Sequence, residues 1–240
     1  MRGNWRRMTG SFGVKMRNCA VLFDFDGTLS DTLQLVIRSF RYAAGFWRSD
    51  LTDEMFTKNF GMNEPGILRK IVPDHAEEAL KAYLKYYAEH LNESVLFPGI
   101  PECLHELKQA GCTVVLLTGK CRESAEISLN YFGLKDLFDA CYYGDSSITL
   151  KTRVMQKALL DLKIDPLKTL YIGDAASDAV AACQAGIPMI GVTWGHTETE
   201  EKLRKNGAAH VFSSVSDLHN FLKEQWLPGF NIQMENSRLV

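Results

Sequence analysis

The sequence predicts an α/β protein whose core is a doubly wound parallel sheet, with a smaller all-helical unit inserted near its start. From residue 97 onward, short apolar segments alternate with segments of helical periodicity, a pattern typical of a parallel sheet covered on both faces. The first apolar segment, at 20–23, is followed instead by about 65 residues of helical pattern without a strand signal. We therefore expect these inserted helices to form a separate, smaller unit.

The predicted core strands are continuous apolar runs without polar alternation, as expected for strands that are buried on both faces. They are expected at 20–23, 113–117, 140–143, 169–172, 189–192 and 209–212. The core helices are expected at 101–110, 122–132, 152–162, 178–184, 198–205 and 215–222. Gly111 and Gly133 directly follow two of these helices, and glycine is a common signal for a helix C-terminus.

The inserted unit is expected to contain a helix with apolar residues at helical spacing over 33–47, followed by shorter helices at 50–60 and 64–71. Asp74 is the expected N-cap of a further helix that ends near Leu91. The apolar face of the first helix is predicted to consist of Leu33, Val36, Ile37, Phe40, Ala44 and Trp47.

These patterns divide the chain into four parts. Residues 1–18 carry basic residues and no acids, and they are interpreted as a flexible extension. The core domain is expected to comprise 19–30 and 97–226, and the helical domain 31–96. A tail at 227–240 shows no periodicity.

Composition excludes several classes of function. The 240 residues carry a formal net charge of −2, which favours neither nucleic acid nor an anionic membrane as a partner. No apolar run approaches the roughly 20 residues of a membrane-spanning helix. The six cysteines form no Cys-x-x-Cys pair, so they are interpreted as reduced thiols of a cytoplasmic protein.

The first candidate site residues directly follow the first strand. They are Asp24, Asp26, Gly27 and Thr28. The two carboxylates are two residues apart, so both point to one side while the backbone stays extended. Like charges this close resist ionisation unless a cation lies between them. The pair could therefore bind a divalent cation, or act as a nucleophile and a proton carrier.

Other predicted strands also end in polar residues. Thr118 and Gly119 follow the second strand, and Lys151 follows the third after a loop. Asp174 follows the fourth strand, with Asp178 four residues later. Ligands of doubly wound sheets bind beyond the carboxyl ends of the strands. A hydroxyl, a lysine and several carboxylates gathered there would suit phosphoryl transfer.

In this order, the segments resemble the four motifs of the haloacid dehalogenase (HAD) superfamily over about residues 20–221. The resemblance implies a Rossmann-like core and makes the helical insertion a cap domain. It implies that Asp24 attacks phosphorus to form an aspartyl-phosphate, and that Asp26 protonates the leaving group and then activates water. Thr118 and the Gly119 backbone N–H would hold the phosphoryl group, and Lys151 would neutralise charge.

The resemblance also implies a Mg²⁺ cofactor. Asp24, Asp174 and the backbone carbonyl of Asp26 would be its ligands, and Asp178 would hold a metal-bound water or the lysine. One position departs from the family pattern, because Thr152 stands where proline often follows the motif lysine. Two other lysines, at 120 and 157, are therefore rivals for the role of Lys151.

The presence of Asp26 favours a phosphatase over a haloacid dehalogenase, since dehalogenases of the superfamily lack this second Asp. The cap and the length look most like the phosphoglycolate phosphatase group and its pyrophosphatase relatives. The expected partner is therefore a small phosphorylated metabolite. A β-phosphoglucomutase-like phosphotransferase and a non-enzymatic binding or regulatory domain remain alternatives.

Overall fold

The computed structural model describes residues 19–146 and 151–227, and its core is a six-stranded sheet of order β3-β2-β1-β4-β5-β6. Every neighbouring pair of strands is parallel. The strands are β1 Ala20–Phe23, β2 Thr113–Leu117, β3 Ala140–Tyr142, β4 Thr169–Gly173, β5 Met189–Val192 and β6 His210–Phe212. This order is that of Rossmann-like sheets and confirms the predicted fold class.

Helices connect the strands and cover both faces of the sheet. They are α1 Leu33–Ala44, α2 Asp53–Thr57, α3 Glu64–Ile71, α4 Ala76–His90, α5 Ile100–Gln109, α6 Arg122–Tyr131, α7 Lys151–Leu162, α8 Ala176–Ala185, α9 Glu200–Lys205 and α10 Val215–Phe221. Within the part of the chain that the structure describes, no helix is both long and apolar enough to cross a bilayer.

Strand β1 occupies the centre of the sheet, and its alternate side chains enter two different apolar clusters. Val21 and Phe23 pack with residues of α5, α6 and α10, whereas Ala20 and Leu22 pack with residues of α7 and α8. Burial on both faces explains why the strand sequences show no polar alternation.

The strand order reverses at β1, because β2 lies on one side of it and β4 on the other. Phe23, the last residue of β1, is in register with Leu116 of β2 and Ile172 of β4. The polar residues that follow these three strands therefore lie side by side at the carboxyl ends of the strands. This is the usual position of the ligand in such folds.

Helices α1 to α4 share an apolar cluster of their own. The ring of Phe40 in α1 lies 5.4 Å from that of Phe56 and 4.7 Å from that of Tyr83, centroid to centroid. The chain leaves β1 and returns to α5 through two adjacent segments, where Asp31 N donates to Val95 O at 2.9 Å. The helical unit is thus connected to the sheet by two segments that lie side by side.

Several local predictions were wrong in this unit. Asp74 does not cap a helix: it lies inside a short 3₁₀ turn, Pro73–His75, and α4 begins after it without a side-chain cap. The helix expected at 50–60 is only the five-residue α2, and Gly61 beyond it has φ +102. Pro73 begins the 3₁₀ turn, a position at which its fixed φ and missing N–H are tolerated.

The buried face of α1 is also shifted from the predicted one. Leu35 and Ala43 are buried, whereas Trp47 lies beyond the end of the helix and is 37% exposed. The extension at 1–18 and residues 228–240 of the predicted tail lie outside the described residues.

Candidate active site

The structure brings all the predicted site residues to one cavity of about 660 Å³, which helices of the inserted unit and loops of the sheet line together. Its walls include the predicted residues Asp24, Asp26, Thr118, Gly119, Lys151, Asp174 and Asp178. Helices α1 and α3 contribute part of its apolar wall, through the side chains of Leu33, Phe40 and Ile67. The inserted unit therefore covers the carboxyl ends of the strands.

Lys151 contacts the carboxylates of Asp24 and Asp178. It is the first residue of α7, and its Nζ donates to Asp24 Oδ2 and Asp178 Oδ1, both at 2.7 Å. Burial alone would lower the pKa of Lys151, but the charges of Asp178 and Asp24 raise it above its usual range, so the ammonium stays charged. Lys157, in contrast, is exposed and pairs with Asp161 on the same helix.

Three carboxylates could hold a cation. Asp24, Asp174 and Asp178 each offer an oxygen, and the three oxygens lie within 4.8 Å of one another. Burial, followed by repulsion from Asp24 and Asp178, raises the pKa of Asp174 to about 8. Burial raises the pKa of Asp178 to about 6, although Lys151 opposes it. In the described structure, Asp178 Oδ2 is buried without a hydrogen-bond partner.

The oxygen atoms of these carboxylates are suitable ligands for a divalent cation. Clustered carboxylate oxygens suit Mg²⁺, and a positive ion would relieve both the mutual repulsion and the unpaired oxygen. The side chain of Asp26 is not part of this group, since it is engaged by other residues.

The turn after β1 packs against Asp174 and donates a hydrogen bond to it. Gly27 has φ +77, and a Cβ at this position would lie 2.1 Å from Asp174 Oδ2. Thr28 Oγ1 donates to Asp174 Oδ1 at 3.0 Å, and its backbone carbonyl accepts from Trp194 Nε1. Only glycine allows this close approach of the turn to the carboxylate, so the Asp-Gly-Thr sequence has a direct packing reason.

Thr118 and Gly119 lie where β2 ends. The backbone N–H of Thr118 donates to Tyr142 O in β3, and its Oγ1 accepts from Lys120 N at 3.3 Å. Gly119 lies directly against Gly144, at which a Cβ would lie 2.0 Å from Gly119 O. These contacts hold the Thr118 hydroxyl and the Gly119 backbone at the cavity wall.

Asp26 has an environment unlike that of Asp24. Its Oδ1 accepts from Thr32 Oγ1 at 2.5 Å and from Lys120 Nζ at 3.3 Å. The two aspartates of the motif are therefore held by different lysines, Asp24 by Lys151 and Asp26 by Lys120. A pair of carboxylates in distinct surroundings can take two different chemical roles.

Sequence reasoning missed Glu64 and Thr32, and it considered Lys120 only as a rival to Lys151. Glu64 lies at the start of α3, yet it is 4% exposed and accepts from Cys121 N at 2.6 Å. The contact of Glu64 with Cys121 joins residues that are 57 apart in the chain, so no motif spacing could have revealed it. An isolated acid at a helix start usually indicates only helix-dipole stabilisation.

Other polar residues near the strand ends have structural roles. Burial and the nearby Glu64 raise the pKa of the Cys121 thiol to about 12, so it stays protonated and unreactive. Tyr142 and Tyr143 donate to Asp161 and Glu126 on neighbouring helices. Neither tyrosine is among the residues that line the cavity.

Comparison with known proteins identifies a family model and several relatives. The family model for haloacid dehalogenase-like hydrolases matches residues 21–192. The pyrophosphatase PpaX of Bacillus cereus (strain B4264) is 31% identical over 183 residues, which cover 75% of this chain and 85% of that protein. The phosphoglycolate phosphatase of Synechococcus elongatus is 27% identical over 184 residues, which cover 75% and 86%.

A relative with a different named activity is the tyrosine-protein kinase PtkA of Mycobacterium tuberculosis. It is 32% identical over 181 residues, which cover 73% of this chain and only 62% of that protein. Among solved structures, a predicted phosphatase from Clostridium acetobutylicum is similar with a TM-score of 0.71 at 29% identity, covering 86% of this chain and 98% of its own. The sheet order, the cavity and these matches lead to one conclusion: the chain is an enzyme of the haloacid dehalogenase-like hydrolase family.

Proposed function

We propose that this hydrolase is a Mg²⁺-dependent phosphatase that cleaves a small phosphorylated metabolite through an aspartyl-phosphate on Asp24. The observation that carries the proposal is the different surroundings of the two motif aspartates. Asp24 contacts Lys151 beside a carboxylate group that fits a cation, whereas Asp26 is held by Thr32 and Lys120. Phosphoryl transfer to a carboxylate needs such a division of work between nucleophile and acid.

In the first step, a carboxylate oxygen of Asp24 attacks phosphorus while the bond from phosphorus to the leaving oxygen breaks. Asp26 gives its proton to that leaving oxygen. In the second step, Asp26 accepts a proton from water as the water oxygen attacks the phosphorus of the aspartyl-phosphate, which releases phosphate and restores Asp24. Each residue thus returns to its starting state after one turnover.

The surrounding residues stabilise the transferred group. Thr118, the Gly119 N–H and Lys151 lie at the cavity wall and would hold the phosphoryl oxygens as charge develops on them. Asp24, Asp174 and the backbone carbonyl of Asp26 would hold Mg²⁺, which supplies positive charge to the phosphoryl group. Asp178 keeps Lys151 in place through their 2.7 Å contact.

The inserted helices, interpreted as a cap domain (31–96), support the proposal that the substrate is small. They cover the cavity, and a covered site can exclude bulk water and select the leaving group. The names of the relatives make pyrophosphate and phosphoglycolate the first candidates. Cys103, Cys121, Cys141 and Cys183 are free thiols, as is common in a cytoplasmic enzyme.

The test is a screen of small phosphate esters and pyrophosphate with Mg²⁺, measuring released phosphate. Asp24→Asn keeps the shape of the side chain and removes the attacking charge, so we expect it to fold normally and to release phosphate only at background rate. Substantial turnover by the folded Asn variant would contradict Asp24 as nucleophile. Phosphoryl transfer between sugars without phosphate release would identify a mutase instead.

A further inference from the structure

Lys120 lies between two carboxylates from different parts of the fold. It is 3% exposed, and its Nζ lies 3.3 Å from Asp26 Oδ1 and 3.8 Å from Glu64 Oε1. It also lies 4.3 Å from the ring centre of Tyr87 in α4. Asp26 follows β1, whereas Glu64 and Tyr87 belong to the inserted helices, so this one ammonium group joins the sheet to the unit that covers it.

The lysine is charged despite its burial. Desolvation alone would lower the pKa of Lys120, but the neighbouring carboxylates, with Asp26 first among them, raise it above its usual range. A buried ammonium has a large desolvation cost, and an apolar side chain of similar size could fill the same space without it. The position of Lys120 therefore calls for an explanation beyond packing.

The contacts at Asp26 are unequal between its two oxygens. Thr32 and Lys120 both donate to Oδ1, and no hydrogen bond from the described residues reaches Oδ2. The side chain of Asp26 is 19% exposed and lines the cavity. One oxygen is thus held in place by two donors, and the other remains available to exchange a proton with a bound group.

Glu64 is itself held firmly at the other end of this arrangement. Asn63 Oδ1 caps α3 by accepting from Gly66 N, which sets the position of Glu64 at the helix start. The Glu64 carboxylate accepts from Cys121 N and from the hydroxyl of Ser124 at the start of α6. A carboxylate is favourable at a helix N-terminus, so α6 gives it a well-defined place in the core.

The start of α3 also reaches the backbone of Lys120, through Gly144. Asn63 Nδ2 donates to Gly144 O at 3.0 Å, and Gly144 N donates to Lys120 O at 2.8 Å. The start of α3 therefore reaches Lys120 twice, once through the Glu64 carboxylate and once through the loop at Gly144. Both contacts exist only while the inserted unit lies against the core.

We propose that Lys120 is a positioning residue, which holds Oδ1 of Asp26 so that Oδ2 faces the leaving group, and that Glu64 of the inserted helices holds Lys120 in turn. This inference rests on the proposed phosphatase function. Asp26 is the group that exchanges the proton, and Lys120 acts only through it. When the inserted unit closes, it would then bring Glu64 to Lys120 and so position Asp26 as the acid. The same movement would cover the substrate.

The proposal predicts a defect that depends on the leaving group. An alkyl alkoxide leaves phosphorus readily only if it receives a proton, whereas 2,4-dinitrophenolate is a stable anion that needs none. Loss of general-acid catalysis typically costs about 10²–10⁴-fold. The ratio kcat/KM reports formation of the aspartyl-phosphate alone, so it isolates this step from the later attack of water.

We would measure kcat/KM for 2,4-dinitrophenyl phosphate and for the alkyl phosphate that the screen finds best. For Lys120→Met we expect a loss of about 100-fold or more on the alkyl ester, and less than about threefold on the dinitrophenyl ester. Glu64→Gln should show a smaller loss with the same preference. Lys157→Met, which changes an exposed lysine paired with Asp161, is the matched control and should change neither value.

Lys120→Met leaves two carboxylates without their cation and could unfold the protein. The double variant Lys120→Met/Glu64→Gln restores the original net charge of the cluster, so its thermal stability should lie closer to that of the unchanged protein. If Lys120 only balances the charge of Glu64, the double variant will regain activity on the alkyl ester, which would overturn the proposal. Persistent discrimination between the two esters in the double variant supports it.

Asp26→Asn separates this inference from the proposed function. If Asp26→Asn loses mainly alkyl activity but Lys120→Met lowers both esters equally, the positioning role is wrong and the phosphatase remains. If the unchanged protein releases no phosphate from any ester, the proposed function itself fails, and the inference fails with it.

Discussion

At the scale of single residues, the site is a set of carboxylates whose charges are balanced separately. Lys151 lies between Asp24 and Asp178, while Lys120 lies between Asp26 and Glu64. In the cavity wall Lys120 is buried and Lys151 is half-buried, and each would leave uncompensated negative charge if it were removed. The two lysines, which the sequence left as rivals, therefore contact different aspartates.

Replacement of Lys151 should be far more harmful than replacement of Lys157. Lys151→Ala removes the cation beside Asp24, and we expect kcat/KM to fall on the order of 10²-fold or more, as for loss of a charge-stabilising donor. Lys157→Ala removes only an exposed pair with Asp161 and should be near neutral. Steady-state kinetics on the best small ester would measure both, and a reversed order of effects would contradict the assignment of Lys151.

The carboxylates predict how Mg²⁺ binding depends on pH. The pKa of Asp174 is raised to about 8 and that of Asp178 to about 6, so the metal-free folded state keeps protons that the unfolded chain has already released above about pH 4. These groups therefore lower the free energy of unfolding as pH rises towards 8. Because Mg²⁺ requires ionised ligands, the increase in Tm that it causes should be larger at pH 8.5 than at pH 6.

Thermal unfolding with and without Mg²⁺ at the two pH values tests this expectation. Asp174→Asn removes one ligand charge and should reduce the Mg²⁺-dependent increase in Tm at both pH values. An equal increase in Tm at pH 6 and pH 8.5 would contradict the pH dependence, and full activity in EDTA would contradict the need for a metal.

At the scale of elements, the site depends on tight turns directly after the strands. The turn after β1 approaches Asp174 closely because Gly27 has no side chain, and the loops after β2 and β3 meet at Gly119 and Gly144. Such backbone contacts place polar groups within a short distance of the strand ends, where a loop of larger residues could not pass.

Gly27→Ala and Gly133→Ala form a matched pair that isolates this effect. Both glycines have positive φ, so each Ala variant should lose about 1–2 kcal/mol of stability. A Cβ at Gly27 would meet Asp174 at 2.1 Å, whereas nothing lies within 4 Å of one at Gly133. We therefore expect only Gly27→Ala to lose activity as well, on the order of 10²-fold, because it displaces a ligand carboxylate.

Denaturant unfolding and steady-state kinetics of the two variants provide the measurements. Normal activity in a Gly27→Ala protein with the expected loss of stability would show that the position of Asp174 tolerates this displacement, and it would argue against a role for Asp174 as a ligand.

At the scale of the whole molecule, the inserted helices and the sheet share one cavity. The two connecting segments lie side by side, with Phe97 N donating to Leu29 O at 3.1 Å, and the start of α3 contacts the loops after β2 and β3. The carboxylates of the candidate site thus lie beneath a cover that contacts the core at several points. Substrates must fit beneath this cover or wait for it to open.

We expect the intact protein to hydrolyse small phosphate esters and to release no phosphate above background from a folded phosphoprotein. A folded surface cannot bring a phosphorylated side chain beneath helices α1 to α4 while they contact the core. Phosphate release from a phosphotyrosine protein, with a small aryl phosphate as the positive control in the same buffer, provides the measurement. Dephosphorylation of the protein as efficient as that of the small ester would contradict a covered site.

The sequence by itself determined the parallel sheet, the succession of its strands and connecting helices along the chain, and the residues that meet at the strand ends. These features depend on local periodicity and on chain geometry, because parallel strands necessarily bring their carboxyl ends to one edge. The positions of Asp24, Thr118, Lys151 and Asp174 relative to the predicted strands were therefore enough to expect that these residues share a cavity.

Only the tertiary structure decided which lysine serves which aspartate, and that Glu64 reaches the start of α6. Those pairings join residues that are 57 or more apart in the chain, and the Glu64 contact joins the inserted helices to the core. No periodicity or spacing encodes such contacts. Local signals also failed at Asp74, where a 3₁₀ turn replaced the expected helix cap. Burial and charge pairing depend on what packs against a side chain, which a linear pattern does not contain.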